Sequence, residues 1–383
     1  MLKLCPAATQ ARDRNSTRGD WKLRTITLLI IVGGKSSRLG YDKRFVEVGG
    51  IGLLENILSK AAAEDFAEIF LCVEDDLPTL KSLAKKFGAK LLVDTVKDSG
   101  PMAGLANGLA RIKTDWALAV SSDMPFFNFD AVRPLTKKFS ATQAIVSVVS
   151  NRRQVLAAFY RRELAEVFKR ELAGGQRKIF AAIKKVPHEF AELQMNEATF
   201  FNVNTPADLR LARGRAANIS RTTPIISIVA PASGTGKTTF IERLIKVFSA
   251  QGLRVGVIKS DAHGFYLDVE GKDSHRFQTA GARNVAVVSP QGWFMIQRTD
   301  ERENFSTIAE KMSGVDLILT ESRTHGTCPA ISLWRGRGEV IASEQVAAIF
   351  TSEPAAAPDD IYRFDLNDLA AAERICRFLA VLG

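Results

Sequence analysis

Two glycine-bearing loops, each set directly behind a continuous apolar run, constrain this chain more than any other feature. The run 25–32 (TITLLIIV) leads into Gly33-Gly34-Lys35, and the run 225–229 (IISIV) leads into Ala230-Pro231-Ala232-Ser233-Gly234-Thr235-Gly236-Lys237-Thr238-Thr239. An unbroken apolar, β-branched stretch suits a strand covered on both faces, as inside a parallel sheet. Glycine at its C-terminal end lets the backbone turn its N–H groups toward a phosphate. Two such units predict two α/β domains, each with a ligand loop at a C-terminal strand edge.

The rest of the chain agrees with that division. Its 383 residues exceed the usual size of a single core. Strand-like runs recur at 68–73, 90–93, 116–121 and 144–149, with helical patterns at 53–63, 77–87 and 102–112 between them. That alternation predicts a doubly wound, mostly parallel sheet. Around 211–224 (LARGRAANISRTTP) the pattern gives way to small, polar and basic residues ending in Pro224, which reads as a linker. A second series follows: a strand at 225–229, a helix at 238–251 and strands at 253–258, 284–288 and 315–320. The expected organisation is an extension over 1–24, a first domain over 25–212, a linker over 213–224 and a second domain over 225–383. The tail beyond 335, Ala-Pro-rich at 354–358, carries little signal.

A formal charge of +10 favours anionic partners. The basic residues are spread along the chain, without an RNA-binding aromatic signature or a zinc-finger spacing, so phosphorylated small molecules are expected rather than nucleic acid. Cys5, Cys72, Cys328 and Cys376 form no CxxC pair, which excludes a disulfide framework and points to a reducing, cytoplasmic setting. The longest apolar runs have strand length, so no membrane span is expected. The first two dozen residues carry Arg12, Arg14, Arg18 and Arg24 but no apolar segment of a secretory signal. They read as a disordered extension or an over-long start, with a transit peptide as the alternative.

In the first loop, Lys35, Arg38 and Lys43 place cations where a triphosphate would lie, able to stabilise a leaving pyrophosphate. A plain strand-to-helix turn would also accommodate Gly-Gly-Lys. Asp94 follows the strand 90–93 and Asp123 follows the strand 116–121, so both carboxylates belong at C-terminal strand edges. A carboxylate there can hold Mg²⁺ while phosphates and water complete the octahedron, or it can cap a helix. In Phe200-Phe201-Asn202-Val203-Asn204-Thr205-Pro206-Ala207-Asp208-Leu209, Thr205 followed by Pro206 marks a helix start.

The string Gly33-Gly34-Lys35-Ser36-Ser37-Arg38-Leu39-Gly40-Tyr41-Asp42-Lys43 resembles the LAGGxSxRMGxDK signature of the molybdenum cofactor guanylyltransferases (MobA-like). The resemblance extends through Gly100-Pro101-Met102-Ala103-Gly104, Asp123-Met124-Pro125-Phe126 and the terminal NVNTPxDL motif, covering about 25–212. It implies a Rossmann-like nucleotidyltransferase domain. Ile31, Val32, Gly33 and Gly34 would meet the nucleotide, Arg38 and Lys43 its phosphates, and Asp94 would be a further nucleotide contact. Asp123 would be the magnesium ligand, and Asn202 and Asn204 would face the cofactor cleft. Val32 replaces the family's alanine, and Cys72-Val73-Glu74 stands where the family often has asparagine. The implied reaction moves GMP from GTP to molybdopterin, with or without molybdenum, and releases pyrophosphate. Related cytidylyltransferases tend to read AAG at Val32-Gly33-Gly34 and to lack the Asp42-Lys43 pair. A sugar-phosphate nucleotidyltransferase remains a second enzyme reading, and a non-catalytic GTP-binding delivery scaffold a third.

The second loop has the P-loop context: a strand, GTGKTT and a helix. Gly234, Thr235, Gly236 and Thr239 would help cradle phosphates, Lys237 would reach the β- and γ-oxygens, and Thr238 would hold Mg²⁺. Pro231 occupies the position where GxxxxGK[ST] wants glycine, and it supplies no N–H. The strand 315–320 ends in Glu321, placed as a Walker-B-type acid. Together with Phe240-Ile241-Glu242-Arg243-Leu244-Ile245, Gly271-Lys272-Asp273-Ser274 and Ala280-Gly281-Ala282, this half resembles the molybdopterin-guanine dinucleotide biosynthesis adaptor (MobB-like) over about 224–335. That implies a P-loop NTPase-like α/β domain that binds GTP, and partners among molybdopterin biosynthesis proteins and molybdoenzyme clients. Of the family's IKHDHHGF only His263 is kept among the variable histidines.

Overall fold

The computed structural model describes residues 23–32, 42–94, 100–139, 142–261 and 273–382. The chain divides into two compact units, one reaching to Phe201 and the other beginning at Asn202.

In the first unit β1 (Ile26–Ile31) is buried along its whole length. Two-residue periodicity sends Leu28 and Ile30 to one face and Leu29 and Ile31 to the other, so one strand feeds two cores. After the short strands β2 (Glu47–Val48), which groups with the second unit, and β3 (Ile51–Gly52), α1 (Leu53–Ala62) presents Leu54, Ile57, Leu58 and Ala61 to the core at helical spacing. Then come β4 (Glu68–Val73), α2 (Pro78–Lys86), β5 (Lys90–Val93), α3 (Pro101–Arg111) and β6 (Trp116–Ser121). The α3 helix sits hard against β1, because a Cβ at Gly108 would come 2.9 Å from Leu29 Cδ1.

The unit closes with β7 (Ala144–Val149), β8 (Arg152–Arg161), α4 (Leu164–Ala173), α5 (Ile179–Ile183) and β9 (His188–Glu192). The seven-stranded sheet runs β5-β4-β1-β6-β8-β7-β9, and its first four strands are parallel. Strand β8 is antiparallel to both neighbours. The cause is local: Ser150 and Asn151 both adopt left-handed backbone (φ 48° and 62°), the geometry of a two-residue hairpin.

The second unit opens with α6 (Pro206–Ile219), capped by a reciprocal Thr205–Asp208 capping box. Here the linker expectation is corrected, because residues 213–219 are the second half of this helix. The stretch reads as a lapse in pattern because its small residues face close neighbours: a Cβ at Gly214 would come 2.7 Å from Leu379 Cδ2. Asn218 Nδ2 donates to Ile225 O (3.1 Å) and Leu379 O (3.0 Å), and Arg215 Nη1 donates to Phe378 O (2.6 Å). All of these contacts lie within the second unit.

It continues with β10 (Ile225–Val229), α7 (Lys237–Ala250), β11 (Val255–Lys259), α8 (Asp273–Thr279), β12 (Asn284–Ser289), β13 (Gly292–Gln297), α9 (Phe305–Glu310), β14 (Leu317–Ser322), β15 (Ala330–Trp334), β16 (Val346–Thr351), β17 (Tyr362–Asp365) and α10 (Leu369–Leu379). Six parallel strands form the sheet in the order β11-β14-β10-β15-β16-β17. Strand β12, expected in the main series, pairs with β13 alone as a separate antiparallel ribbon. The uninformative tail supplies two sheet strands and the final helix. No helix among the described residues is long and apolar enough to cross a membrane.

Candidate active site

Parallel pairing brings the C-terminal ends of β1, β4, β5 and β6 to one edge. Val32 donates its N–H to Cys72 O (3.0 Å), Ser122 to Ile31 O (3.1 Å) and Asp94 to Val73 O (2.7 Å), so these loop starts are continuous with the sheet. Gly33, Gly34 and Arg38 lie outside the described residues, as do Lys35 and the segment 95–99.

Asp123 is buried just beyond β6. Its Oδ1 accepts from Ser121 Oγ (2.6 Å) and its Oδ2 from Lys43 Nζ (2.8 Å). Lys43 is placed by its neighbours. Asp42 accepts from the Arg44 backbone N–H (3.1 Å) and from Nε and Nη2 of the same side chain, while the buried Arg44 also lies 3.7 Å from Asp75 at the end of β4. Asp42 therefore works as a fastener of the loop. Behind Asp123, Asn56 Nδ2 and Lys60 Nζ from α1 donate to main-chain oxygens of Pro125 and Phe127.

Asp94 stands at the far side of the same edge. Three strand spacings separate β5 from β6, about 14 Å. Asp94 Oδ1 accepts from Asn107 Nδ2 (3.3 Å), and its Oδ2 lies 3.3 Å from where a Cβ on Gly104 would sit, so glycine there admits the carboxylate. Burial pushes the Asp94 carboxyl up to about 6; the Asn107 hydrogen bond opposes this, and the Glu74 charge reinforces it.

Asn202 and Asn204 precede α6 and group with the second unit. The Asn204 and Thr205 N–H groups donate to Asp208 Oδ2 (3.0 and 2.8 Å), and Tyr362 OH donates to Asp208 Oδ1.

In the second unit the P-loop follows β10, at the interior of its sheet. Gly234 and Gly236 take φ of 72° and 101°, and Gly236 is the left-handed N-cap of α7, a conformation that favours glycine. Lys237 and Thr238 begin the helix, with Thr239 next, and Thr238 Oγ1 donates to Glu321 Oε1 on β14 (2.9 Å). Arg335, at the end of β15, donates through Nε to Thr235 O (2.9 Å), and Arg323 Nη2 donates to Ser233 Oγ (2.9 Å). A cavity of about 280 Å³ opens here, lined by Lys237, Asp261, Arg302, Glu321 and Arg323 among others. Pro231 packs beside Gly338, where a Cβ would stand 3.3 Å from Pro231 Cβ. His263 lies outside the described residues.

A MobA-like NTP transferase domain matches residues 28–187, and the family of molybdopterin guanine dinucleotide synthesis protein B matches residues 225–352. The chain is 30% identical over 185 residues to a probable molybdenum cofactor guanylyltransferase of Clostridium perfringens, covering 46% of this chain and 90% of that one. It is 36% identical over 146 residues to the molybdopterin-guanine dinucleotide biosynthesis adapter protein of Escherichia coli, covering 36% and 82%. The chain belongs to both families, one in each half. Molybdopterin-guanine dinucleotide biosynthesis protein A of Archaeoglobus fulgidus is a solved structure similar to it at 23% identity, covering 49% of this chain and 97% of that one, with a TM-score of 0.43.

Within the MobA-like half, the structure brings Ile31, Val32, Lys43, Asp94 and Asp123 to one sheet edge. Sequence reasoning did not single out Ser121, Arg44, Asn56 or Lys60 there, nor Arg335 in the MobB half. Ser121 carried a readable signal, since a hydroxyl two residues before a strand-end acid can turn back to it. Lys60 carried none, because a lysine in the last turn of an amphipathic helix reads as a solvated residue.

Proposed function

We propose that the MobA-like half, residues 25–212, transfers GMP from GTP to the terminal phosphate of molybdopterin, with or without its metal, releasing pyrophosphate. The observation that carries this is the buried Asp123 carboxylate paired with Lys43 at the end of β6. An oxygen of the molybdopterin phosphate forms the new bond to the α-phosphorus of GTP, and the bond from that phosphorus to the bridging oxygen of pyrophosphate breaks. The attacking phosphate is ionised at neutral pH, so no general base is required. Rate then comes from positioning and charge neutralisation.

The donor set suits Mg²⁺. Among the described residues no cluster of three His, Cys, Asp or Glu side chains exists, and a single carboxylate whose remaining ligands are phosphate and water is a usual magnesium arrangement. Asp123 would hold the ion, which when bound supplies charge at the α-phosphate. Lys43, drawn from Asp123 toward the triphosphate, and Arg38 would neutralise the departing pyrophosphate. Ile31, Val32, Gly33 and Gly34 would line the nucleotide, and Asp94 would accept from a base N–H. Asn202 and Asn204 would meet molybdopterin.

In the MobB half, Gly234, Thr235, Gly236, Lys237, Thr238 and Thr239 would hold the phosphates of a second GTP, with Thr238 as ligand to its Mg²⁺ and Glu321 behind it. We place the whole reaction in the cytoplasm, alongside molybdopterin biosynthesis proteins and molybdoenzyme clients. The direct test is Asp123→Ala in a GMP-transfer assay. Loss of transfer with an unchanged circular dichroism spectrum supports the proposal, and full activity overturns it.

A further inference from the structure

We infer that Lys60 and Asn56 of α1 are positioning residues for guanylyl transfer, holding the loop that carries Asp123 at its metal-binding place. The inference rests on the assignment of Asp123 given above.

Asn56 and Lys60 are four residues apart and so share a helix face. That face is not the solvated one. Both side chains are half-buried, and the residues around them, Ile57, Leu58 and Ala61, are in the core. Lys60 Nζ donates to Pro125 O (2.8 Å) and Phe127 O (3.0 Å), and Asn56 Nδ2 donates to Pro125 O (2.6 Å).

The acids that would ordinarily pair with this lysine are engaged elsewhere. Glu64, one turn along, is bound by Arg133 Nη2 at 2.9 Å, and Glu55 by Lys86 Nζ at 2.6 Å. Lys60 thus spends its charge on main-chain oxygens. Burial lowers its pKa to about 8, so keeping the ammonium there is unfavourable in itself. For packing alone, an uncharged side chain of the same length would serve better.

The loop explains why the charge is kept. Met124 and Phe127 are buried anchors, with a turn bond from Phe127 N to Met124 O (3.2 Å) between them. Pro125 has no N–H and cannot join a ladder. The loop is held from the front by Lys43 and Ser121 through Asp123, and from behind by Lys60 and Asn56 through Pro125 and Phe127. Lys43 bonds the Asp123 oxygen that an incoming cation would compete for, Oδ2. As Lys43 turns to the phosphates, the front tether weakens. The rear one then decides where the carboxylate stays.

The experiment compares full-length wild type, Lys60→Met, Lys60→Arg and Asn56→Ala. GMP transfer is measured across a Mg²⁺ titration, Mn²⁺ binding in the presence of GTP by calorimetry, and amide exchange over 121–130 by mass spectrometry. Lys60→Met should raise the half-saturating Mg²⁺ concentration and lower kcat, each about tenfold, as expected for losing the two charge-assisted hydrogen bonds to Pro125 and Phe127. The KM for molybdopterin should stay unchanged. Mn²⁺ binding should weaken in parallel, exchange over 121–130 should quicken, and Lys60→Arg should restore most of both. Asn56→Ala, the milder change, should move the same quantities less. A lowered melting temperature with an unaltered Mg²⁺ titration and unaltered exchange would overturn the inference, because Lys60 would then only support the fold. Wild type that transfers no GMP would instead overturn the functional assignment beneath it.

Discussion

Lys43 Nζ and Asp123 Oδ2, 80 residues apart in the chain, meet at 2.8 Å, with both side chains largely removed from solvent. A buried pair of this kind adds little net stability, but removing one partner is costly because the other charge stays buried without it. Asp123→Ala should therefore do two things. Transfer should fall by about a thousandfold, and the first thermal transition should drop modestly because the buried Lys43–Asp123 ion pair is lost. Asp123→Asn keeps the acceptor and should recover the melting temperature without recovering rate. Differential scanning calorimetry beside a product assay checks both.

The raised carboxyl of Asp94 gives a pH signature. In the role proposed for it, the ionised carboxylate would accept from guanine N–H donors, and protonation would remove that capacity. The KM for GTP should be flat at neutral pH and climb as pH falls through about 6, approaching tenfold per unit. Stability runs the other way. A folded-state pKa above the unfolded value means the protonated form is favoured by folding, so this group's contribution is present in acid and is lost as pH rises through about 6. Asp94→Asn should flatten the KM profile. A KM that keeps its climb in that variant would assign it to another group.

The MobB half should bind its own nucleotide independently. Lys237→Ala should weaken GTP at one of two sites per chain by roughly 30- to 100-fold, while GMP transfer keeps its rate. Calorimetry with a non-hydrolysable GTP analogue would read one site lost and one retained. A parallel loss of transfer would contradict the division between the halves.

Gly108 tests the packing of α3 on β1. A methyl group there would press on Leu29, which is fully buried, and on Cys72 behind it. Overpacking costs about 1–3 kcal/mol, more than the ~1 kcal/mol of helix propensity gained over glycine. Gly108→Ala should lower the first transition by a few degrees and leave the KM for GTP unchanged at 25 °C.

How far the chain could be read depends on where its signal lies. β1 and β6 are buried along their whole length and β4 along most of it, and their apolar runs announced them, as the shorter run did for the edge strand β5, together with the Asp94 and Asp123 positions at strand ends. β8 escaped notice because Ser150-Asn151 is not the Asn-Gly pair that flags a hairpin. The second half of α6 read as a linker because Gly214 and its alanines serve close packing, which looks like weak pattern in one dimension. Asn56 and Lys60 were invisible for another reason: their partners are main-chain oxygens nearly 70 residues away, and carbonyls leave no mark in a sequence. Motifs recorded the groups proposed to face a ligand, and the polar supports behind them come together only in the folded chain.

If the chain makes its guanine dinucleotide at the β1–β6 edge, the most direct measurement is the initial rate of nucleotide transfer to molybdopterin. It is taken from α-labelled GTP, CTP and UTP, each at equal concentration with Mg²⁺. Labelled product is expected with GTP at a rate well above that with either pyrimidine nucleotide, and about a thousandfold more slowly from the Asp123→Ala chain. A faster rate with CTP or UTP, or product from the Asp123→Ala chain at the wild-type rate, would contradict it.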